Sequence, residues 1–126
     1  MPQIILEYSS NIKENVDFRK LFSDIHHIIE TTGGVKIENC KSRAKCQDDY
    51  FIGTGKTDSA FIHLEIQWIE GRTEEVKTQL GRDLLNLLKG NYISSLETLG
   101  IQITVHLIDI AKNSYFKYPG GTLTVQ

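Results

Sequence analysis

Proline is scarce in this chain, and one of its two prolines stands where it could do chemistry. Pro2 directly follows Met1, and an initiator methionine is usually removed when the second residue is small. Removal would leave a secondary amine at the start of a predicted strand. An α-amino group titrates at about 7.7 to 8.0, and burial or a neighbouring cation lowers that pKa, so Pro2 could act as a general base near neutral pH. Alternatively, Pro2 only begins an edge strand, where a missing N–H is harmless.

Basic side chains alternate along a second predicted strand. Lys41, Arg43 and Lys45 would share one face of it, because side chains two residues apart in a strand point the same way. Such a face either binds an anion or is simply exposed to water.

Other residues that often carry chemistry indicate no further site. Residues 53–57 look like the end of a phosphate-binding loop, but Tyr50 stands where that motif needs a glycine, and a strand follows instead of a helix, so we interpret them as a turn. The histidines lack partners at helical metal-ligand spacing, and the cysteines form no closely spaced pair. We therefore predict no metal site and two reduced thiols; the residues concerned are His26, His27, His63, His106, Cys40 and Cys46.

The charge balance narrows the classes of partner. The chain has 126 residues, of which 14 are basic and 16 acidic, for a net charge of -2. The length favours one domain over residues 1–126. The slightly acidic charge lacks the basic surface that a nucleic-acid-binding protein normally needs. No apolar run approaches the roughly 20 residues of a membrane helix, and the first residues do not resemble a signal peptide, so we expect a cytoplasmic location without a membrane partner.

The elements that must position these residues follow from hydrophobic periodicity. We predict strands at residues 4–8, 37–46, 60–69 and 101–110, the second with Cys40, Ala44 and Cys46 on its core side. A helix with apolar residues from Val16 to Ile29 follows the first strand and ends at Gly33-Gly34. Another helix begins after an N-cap at Thr73 and is interrupted at Gly90-Asn91, and a last helical piece ends at Gly100.

This order of elements predicts an α+β fold. Strand, helix and strand occur twice, which gives two βαβ units forming a four-stranded sheet with two helices on one face. The other face, with His63, Glu65 and Gln67, would be bare. We expect it to meet water or other copies of the chain in a closed homo-oligomer.

Five short stretches, spread over nearly the whole chain, form a combined pattern. They are Pro2 with Ile4, Ile5 and Glu7; Ser9 with Asn11, Ile12 and Lys13; Lys41, Ser42 and Arg43; Asp58 with Ala60, Phe61, Ile62 and His63; and Gly71, Arg72 and Thr73. In order and spacing, and together with the double βαβ pattern, they resemble the 5-carboxymethyl-2-hydroxymuconate Delta-isomerase family of the tautomerase superfamily.

The resemblance implies a homotrimeric isomerase of aromatic-compound catabolism, in homoprotocatechuate degradation, that uses no cofactor. Terminal Pro2 would take the enol proton of a small anionic substrate, a 2-hydroxymuconate-type dienol, and return a proton to carbon to give the unsaturated 2-keto acid. Arg72 lies in a turn similar to one where the superfamily carries a substrate-binding arginine. Relatives tend to have arginine at position 41, so either Lys41 or Arg43 would be the second cationic contact.

Two alternatives stay open. One is a tautomerase that acts on an arylpyruvate enol or on another 2-hydroxydienoate. The other is a non-catalytic oligomeric module of the same fold that binds a small ligand. The lysine at position 41 favours the latter, as would an intact Met1, because it makes the Pro2 nitrogen an amide.

Overall fold

A computed structural model of the chain describes the backbone of residues 1–122 and the side chains of residues 1–120. Four strands form a mixed sheet in the order β2-β1-β3-β4. Strand β1 runs parallel to β2 and antiparallel to β3, and β3 runs parallel to β4. This confirms the α+β fold with two βαβ units. The strands are β1 (Gln3–Ser9), β2 (Lys41–Gln47), β3 (Ser59–Ile69) and β4 (Gly100–Ile110).

Three helices connect the strands, with caps where the sequence predicts two of them. They are α1 (Phe18–Gly33), α2 (Glu74–Asn91) and α3 (Ile93–Thr98). The Thr73 hydroxyl accepts a hydrogen bond from the Val76 N–H and caps α2. Gly34 ends α1 in the left-handed conformation, with a φ of 70°. Helix α1 begins later than predicted, after an N-cap at Asp17, so Val16 lies in the preceding loop.

The hydrophobic core lies between one face of the sheet and the two long helices. Alternate residues of β1 and β3 pack there against the apolar stripes of α1 and α2. Its fully buried members include Ile4, Leu6, Leu21, Ile25, Ile29, Ile62, Leu64, Ile66, Trp68, Leu80, Leu84 and Leu88. The opposite face, here called the open face, carries the residues that alternate with these; on β3 and β4 they include His63, Glu65, Gln67, Thr104 and His106.

Strand β2 begins at Lys41, later than the predicted start at residue 37. Ile37–Asn39 form a single 3₁₀ turn, in which the Cys40 N–H donates to the Ile37 carbonyl. The reason is that β1 begins at Gln3, which pairs with Lys41, so earlier residues have no strand beside them. Cys40 therefore precedes the strand, although it packs against the core as predicted. Cys46 lies on the core side of the sheet as predicted, because it pairs with Tyr8, which pairs with the buried Ile62, but it is exposed there near the end of an edge strand.

Several remaining predictions concern the ends and connections of the chain. Residues 53–55 form a turn, with the Gly55 N–H donating to the Ile52 carbonyl, and β3 follows. A second 3₁₀ turn (Lys112–Ser114) and a small hairpin of β5 (Phe116–Lys117) and β6 (Gly121–Thr122) complete the described chain. No helix within residues 1–122 is long and apolar enough to cross a membrane. The single domain over residues 1–126 stays a prediction, because residues 123–126 lie outside the described part.

Candidate active site

Pro2 lies at one end of the sheet, which we call the Pro2 end. It is buried immediately before β1, and its carbonyl accepts a hydrogen bond of 3.2 Å from the Lys41 N–H at the start of β2. Because Gln3 pairs with Gln67, Pro2 lies beside the carboxyl end of β3. The first two strands and the turn after β3 thus meet at this end.

The amino group of the chain is withdrawn from water at the Pro2 end. Met1, which carries it here, is only 3% exposed. Burial is the main cause that lowers the pKa of this amine below its usual 8.0, and the charges of Lys41 and Lys117 lower it further. An amine at this place therefore loses its proton more easily than a free one. While Met1 is present the Pro2 nitrogen is an amide, so only removal of Met1 would give Pro2 this role.

Cys40 lies near this amine, and its thiol is uncharged. Burial raises the pKa of its thiol to about 11, although the terminal amine and Lys41 oppose the shift. The thiol is therefore protonated at neutral pH and is no nucleophile. This agrees with the prediction of a structural, reduced cysteine, and Cys46 is also a free thiol.

The two candidate cations of β2 differ in their distance from the Pro2 end. Lys41 pairs with Gln3 at the first position of the strand, and its ammonium donates to the Asn39 carbonyl at 3.1 Å. Arg43 pairs with Ile5, two residues further along, and its guanidinium binds the side-chain oxygen of Gln3. Both are exposed, but only Lys41 is close enough to the terminal amine to affect its pKa.

Arg72 is held in place by the fold. Its Nη1 donates to the Ile69 carbonyl at 2.9 Å and its Nε to the Gly33 carbonyl at 3.3 Å, while the guanidinium lies 4.8 Å from the ring centre of Trp68. Burial is the main influence on the pKa of Arg72 and lowers it, whereas the charge of Asp109 acts in the opposite direction. Arg72 is thus a fixed, half-buried cation at the carboxyl end of β3, on the helix-covered side.

Asp109 on β4 connects the neighbours of Arg72 by hydrogen bonds. One carboxylate oxygen accepts a hydrogen bond of 3.0 Å from the Trp68 indole, and the other accepts one of 2.6 Å from the Lys77 ammonium. Sequence reasoning missed this contact because it joins three elements that are distant in the chain. It also missed the position of Lys117, which the hairpin after β4 brings to the terminal amine; the signal available was the family resemblance of the tail.

The histidines lie outside this group. On α1, His26 makes a 2.6 Å hydrogen bond with the Ser42 hydroxyl, and burial lowers its pKa, while His27 is exposed. His63 and His106, by contrast, lie together with Glu65 on the open face. The prediction of no metal site considered spacing within single elements, so it did not address this grouping across two strands.

Similarity to known proteins agrees with the geometry. Residues 2–119 match a family described as 5-carboxymethyl-2-hydroxymuconate isomerase. The chain is 26% identical over 117 residues to the 5-carboxymethyl-2-hydroxymuconate Delta-isomerase of Escherichia coli, with 93% of each chain covered.

Solved structures share the fold. A 5-carboxymethyl-2-hydroxymuconate isomerase from Deinococcus radiodurans R1 superimposes with a TM-score of 0.82 at 22% identity, over 92% of this chain and 87% of that one. A fused 4-OT symmetric trimer gives a TM-score of 0.70 at 16% identity, over 93% and 92%. Because the family match spans nearly the whole chain, this protein belongs to the 5-carboxymethyl-2-hydroxymuconate isomerase family and is an isomerase of the tautomerase type.

Proposed function

We propose that this isomerase ketonises a 2-hydroxymuconate-type dienol, such as 5-carboxymethyl-2-hydroxymuconate, to the unsaturated 2-keto acid, with Pro2 as acid and base. The observation that carries the proposal is the environment of the chain's amino group. In the structure Met1 carries this group, and burial and the charges of Lys41 and Lys117 lower the pKa of the Met1 amine. Removal of Met1 would place the Pro2 amine at the adjoining position, close to the same groups. A similar lowering of the pKa of the Pro2 amine would favour its neutral, basic form at neutral pH.

The reaction needs one proton acceptor that later becomes the donor. After removal of Met1, the neutral Pro2 amine takes the proton of the enol O–H, and the electrons of that bond form the C=O bond. The conjugated double bonds shift, and a carbon of the dienolate receives a proton from the prolinium, which restores the neutral amine. Substrate and product are isomers, so the cycle consumes no other reactant.

Cations at the Pro2 end would bind the carboxylates and stabilise the dienolate oxygen. For the second strand, the short separation from the terminal amine supports Lys41 rather than Arg43. Arg72 supplies a fixed charge, although two backbone carbonyls already use part of its guanidinium. Lys117 adds a further cation that sequence reasoning did not assign.

We further propose that three copies of the chain assemble through the open face. The symmetric trimers formed by fused 4-OT proteins of the same fold support the number of copies. The open face is proposed as the contact because helices cover the opposite face of the sheet. In this proposal the enzyme acts in the cytoplasm, in the degradation of aromatic acids such as homoprotocatechuate.

The first test combines an intact mass with one substitution. Protein from native cells should lack Met1, and Pro2→Ala should lower kcat/KM for 5-carboxymethyl-2-hydroxymuconate by at least about 10²-fold while the protein stays folded. Ser10→Ala, at the other end of β1, keeps the proline and should retain activity. Retention of Met1, or full activity of Pro2→Ala, would contradict the proline mechanism.

A comparison of substrates tests the choice of ligand. 5-Carboxymethyl-2-hydroxymuconate, with three carboxylates, and 2-hydroxymuconate, with two, should both react with a much higher kcat/KM than an arylpyruvate enol with one, since two cationic positions would bind two carboxylates of either dienol. Equal values would favour the arylpyruvate alternative.

A further inference from the structure

Three side chains of metal-ligand type meet on the open face, away from the Pro2 end. His63 and Glu65 are two residues apart on β3 and therefore point the same way, and His106 on β4 pairs directly with Glu65. One potential ligand atom from each lies within 4.8 Å of the other two. Glu65 pairs with Ile5, which is three residues from Pro2, or about 10 Å along the strand, so this group is separate from the proposed catalytic residue.

The spacing of these atoms is close to that of a coordination sphere. The His63 Nε2 lies 3.7 Å from the Glu65 Oε1. Two ligands of a tetrahedral Zn²⁺ ion, each about 2.0 to 2.1 Å from the metal, are themselves about 3.3 Å apart. Small rotations of the side chains would bring these two atoms to that separation. All three side chains are at least partly exposed, which leaves room for such rotations.

Neighbouring residues orient two of the three ligands. The His63 Nδ1 lies 2.6 Å from the Thr104 hydroxyl, which itself lies 3.5 Å from the Ile62 carbonyl. If the hydroxyl donates to that carbonyl, it accepts from the His63 Nδ1–H, which leaves Nε2 unprotonated and available to a metal. Gln67 donates to the Glu65 Oε2 at 3.0 Å and leaves Oε1 on the side of His63. Such outer contacts are typical of metal-binding histidines and carboxylates.

We propose that His63, Glu65 and His106 bind a divalent transition-metal ion of the Zn²⁺ type on the open face. Two imidazoles and one carboxylate suit zinc, whereas Mg²⁺ and Ca²⁺ prefer oxygen ligands alone. Three protein ligands leave a fourth position for water or for a group of a facing copy. Because one chain supplies all three ligands, each chain binds one ion.

The test is a calorimetric titration of the full-length, assembled protein with Zn²⁺, after treatment with a chelator. We expect saturable binding of one ion per chain, which Mg²⁺ in large excess does not displace. His106→Gln and Glu65→Gln should each weaken binding at least about tenfold, whereas His27→Gln, on the exposed side of α1, should bind as the unaltered protein does. Circular dichroism in the presence of chelator checks that each variant is folded.

Thr104→Val provides an independent readout, because it removes no ligand. If Thr104 positions His63, this variant should lose about 10-fold to 100-fold in Zn²⁺ affinity. Equal affinity of the unaltered protein and His106→Gln would overturn the proposal. So would one ion per three chains, which would indicate an ion shared among copies.

Discussion

At the scale of single residues, the candidate base depends on its surroundings rather than on its own type. Burial contributes most to the lowered pKa of the Met1 amine next to Pro2, and Lys41 and Lys117 contribute through their charge. A sequence can indicate a terminal proline, but it cannot show that a lysine from the tail comes to lie beside it. The pH dependence of catalysis is therefore the property that reports these contacts.

Removing both lysine charges should move the pH profile. In Lys41→Gln/Lys117→Gln the prolinium loses two repelling neighbours, so the pKa of the amine rises and the acidic limb of kcat/KM against pH shifts to higher pH. Activity at neutral pH then falls, because less of the amine is unprotonated. Lys45→Gln, on the same strand as Lys41, is the matched control. If the acidic limb of kcat/KM against pH is unchanged in the double variant, the two lysines do not affect the pKa of the catalytic amine.

Arg72 should affect both stability and substrate binding. Arg72→Ala leaves the Gly33 and Ile69 carbonyls without their donors and should lower the free energy of unfolding by about 1 to 3 kcal/mol, as measured with urea. It should also raise KM for 5-carboxymethyl-2-hydroxymuconate. Arg82→Ala, an exposed change on α2, should do neither. If KM of the folded variant is unaltered, Arg72 has a structural role alone.

At the scale of elements, the pattern of apolar residues is sufficient to predict the order of strands and helices. The alternation in β3, the N-cap at Thr73 and the glycines at the end of α1 all lie where local rules place them. The start of β2 could not be predicted in this way. Whether residues 37–40 form a strand depends on a partner strand, and β1 begins only opposite Lys41. The Trp68–Asp109 contact and the grouping of His63 with His106 likewise depend on register between strands.

The connection between β1 and α1 is fixed by a charged hydrogen-bond network. The Glu14 carboxylate accepts from the Ser95 hydroxyl at 2.6 Å and from the Ser95 N–H at 3.1 Å, and Ser95 is fully buried. Burial alone would raise the pKa of Glu14, but these hydrogen bonds outweigh it and lower the pKa below the usual 4.5. The ionised form therefore attaches this loop to α3.

The network should make the free energy of unfolding depend on pH. A carboxyl whose pKa is lowered by folding stabilises the protein above the pKa of the unfolded chain, and this stabilisation disappears as the pH falls through the folded pKa. Glu14→Gln should therefore lower the free energy of unfolding by about 1 kcal/mol at pH 7, and by less in acid. Urea unfolding at neutral and acidic pH measures the difference. Glu97→Gln, exposed on α3, should show no such loss, and an equal loss at both pH values would contradict the argument.

At the scale of the whole molecule, helices α1 and α2 cover one side of the sheet, and within residues 1–120 no helix covers the other. Its open face combines the apolar Ile5, in the middle of β1, with charged and polar residues of the neighbouring strands. Both the proposed trimer and the proposed metal site use this face. They are compatible because one chain supplies all three metal ligands, which leaves the fourth coordination position for water or for a facing copy.

The trimer can be tested by placing a charge in the centre of that face. Light scattering after size exclusion should give three times the 14.3 kDa of one chain for the unaltered protein. Ile5→Lys should reduce this to a single chain, because an unpaired ammonium buried between copies costs several kcal/mol, whereas in a separate chain the open face meets water. His27→Lys, on the exposed side of α1, should leave the trimer intact. If Ile5→Lys keeps three times the mass, the copies associate through another surface.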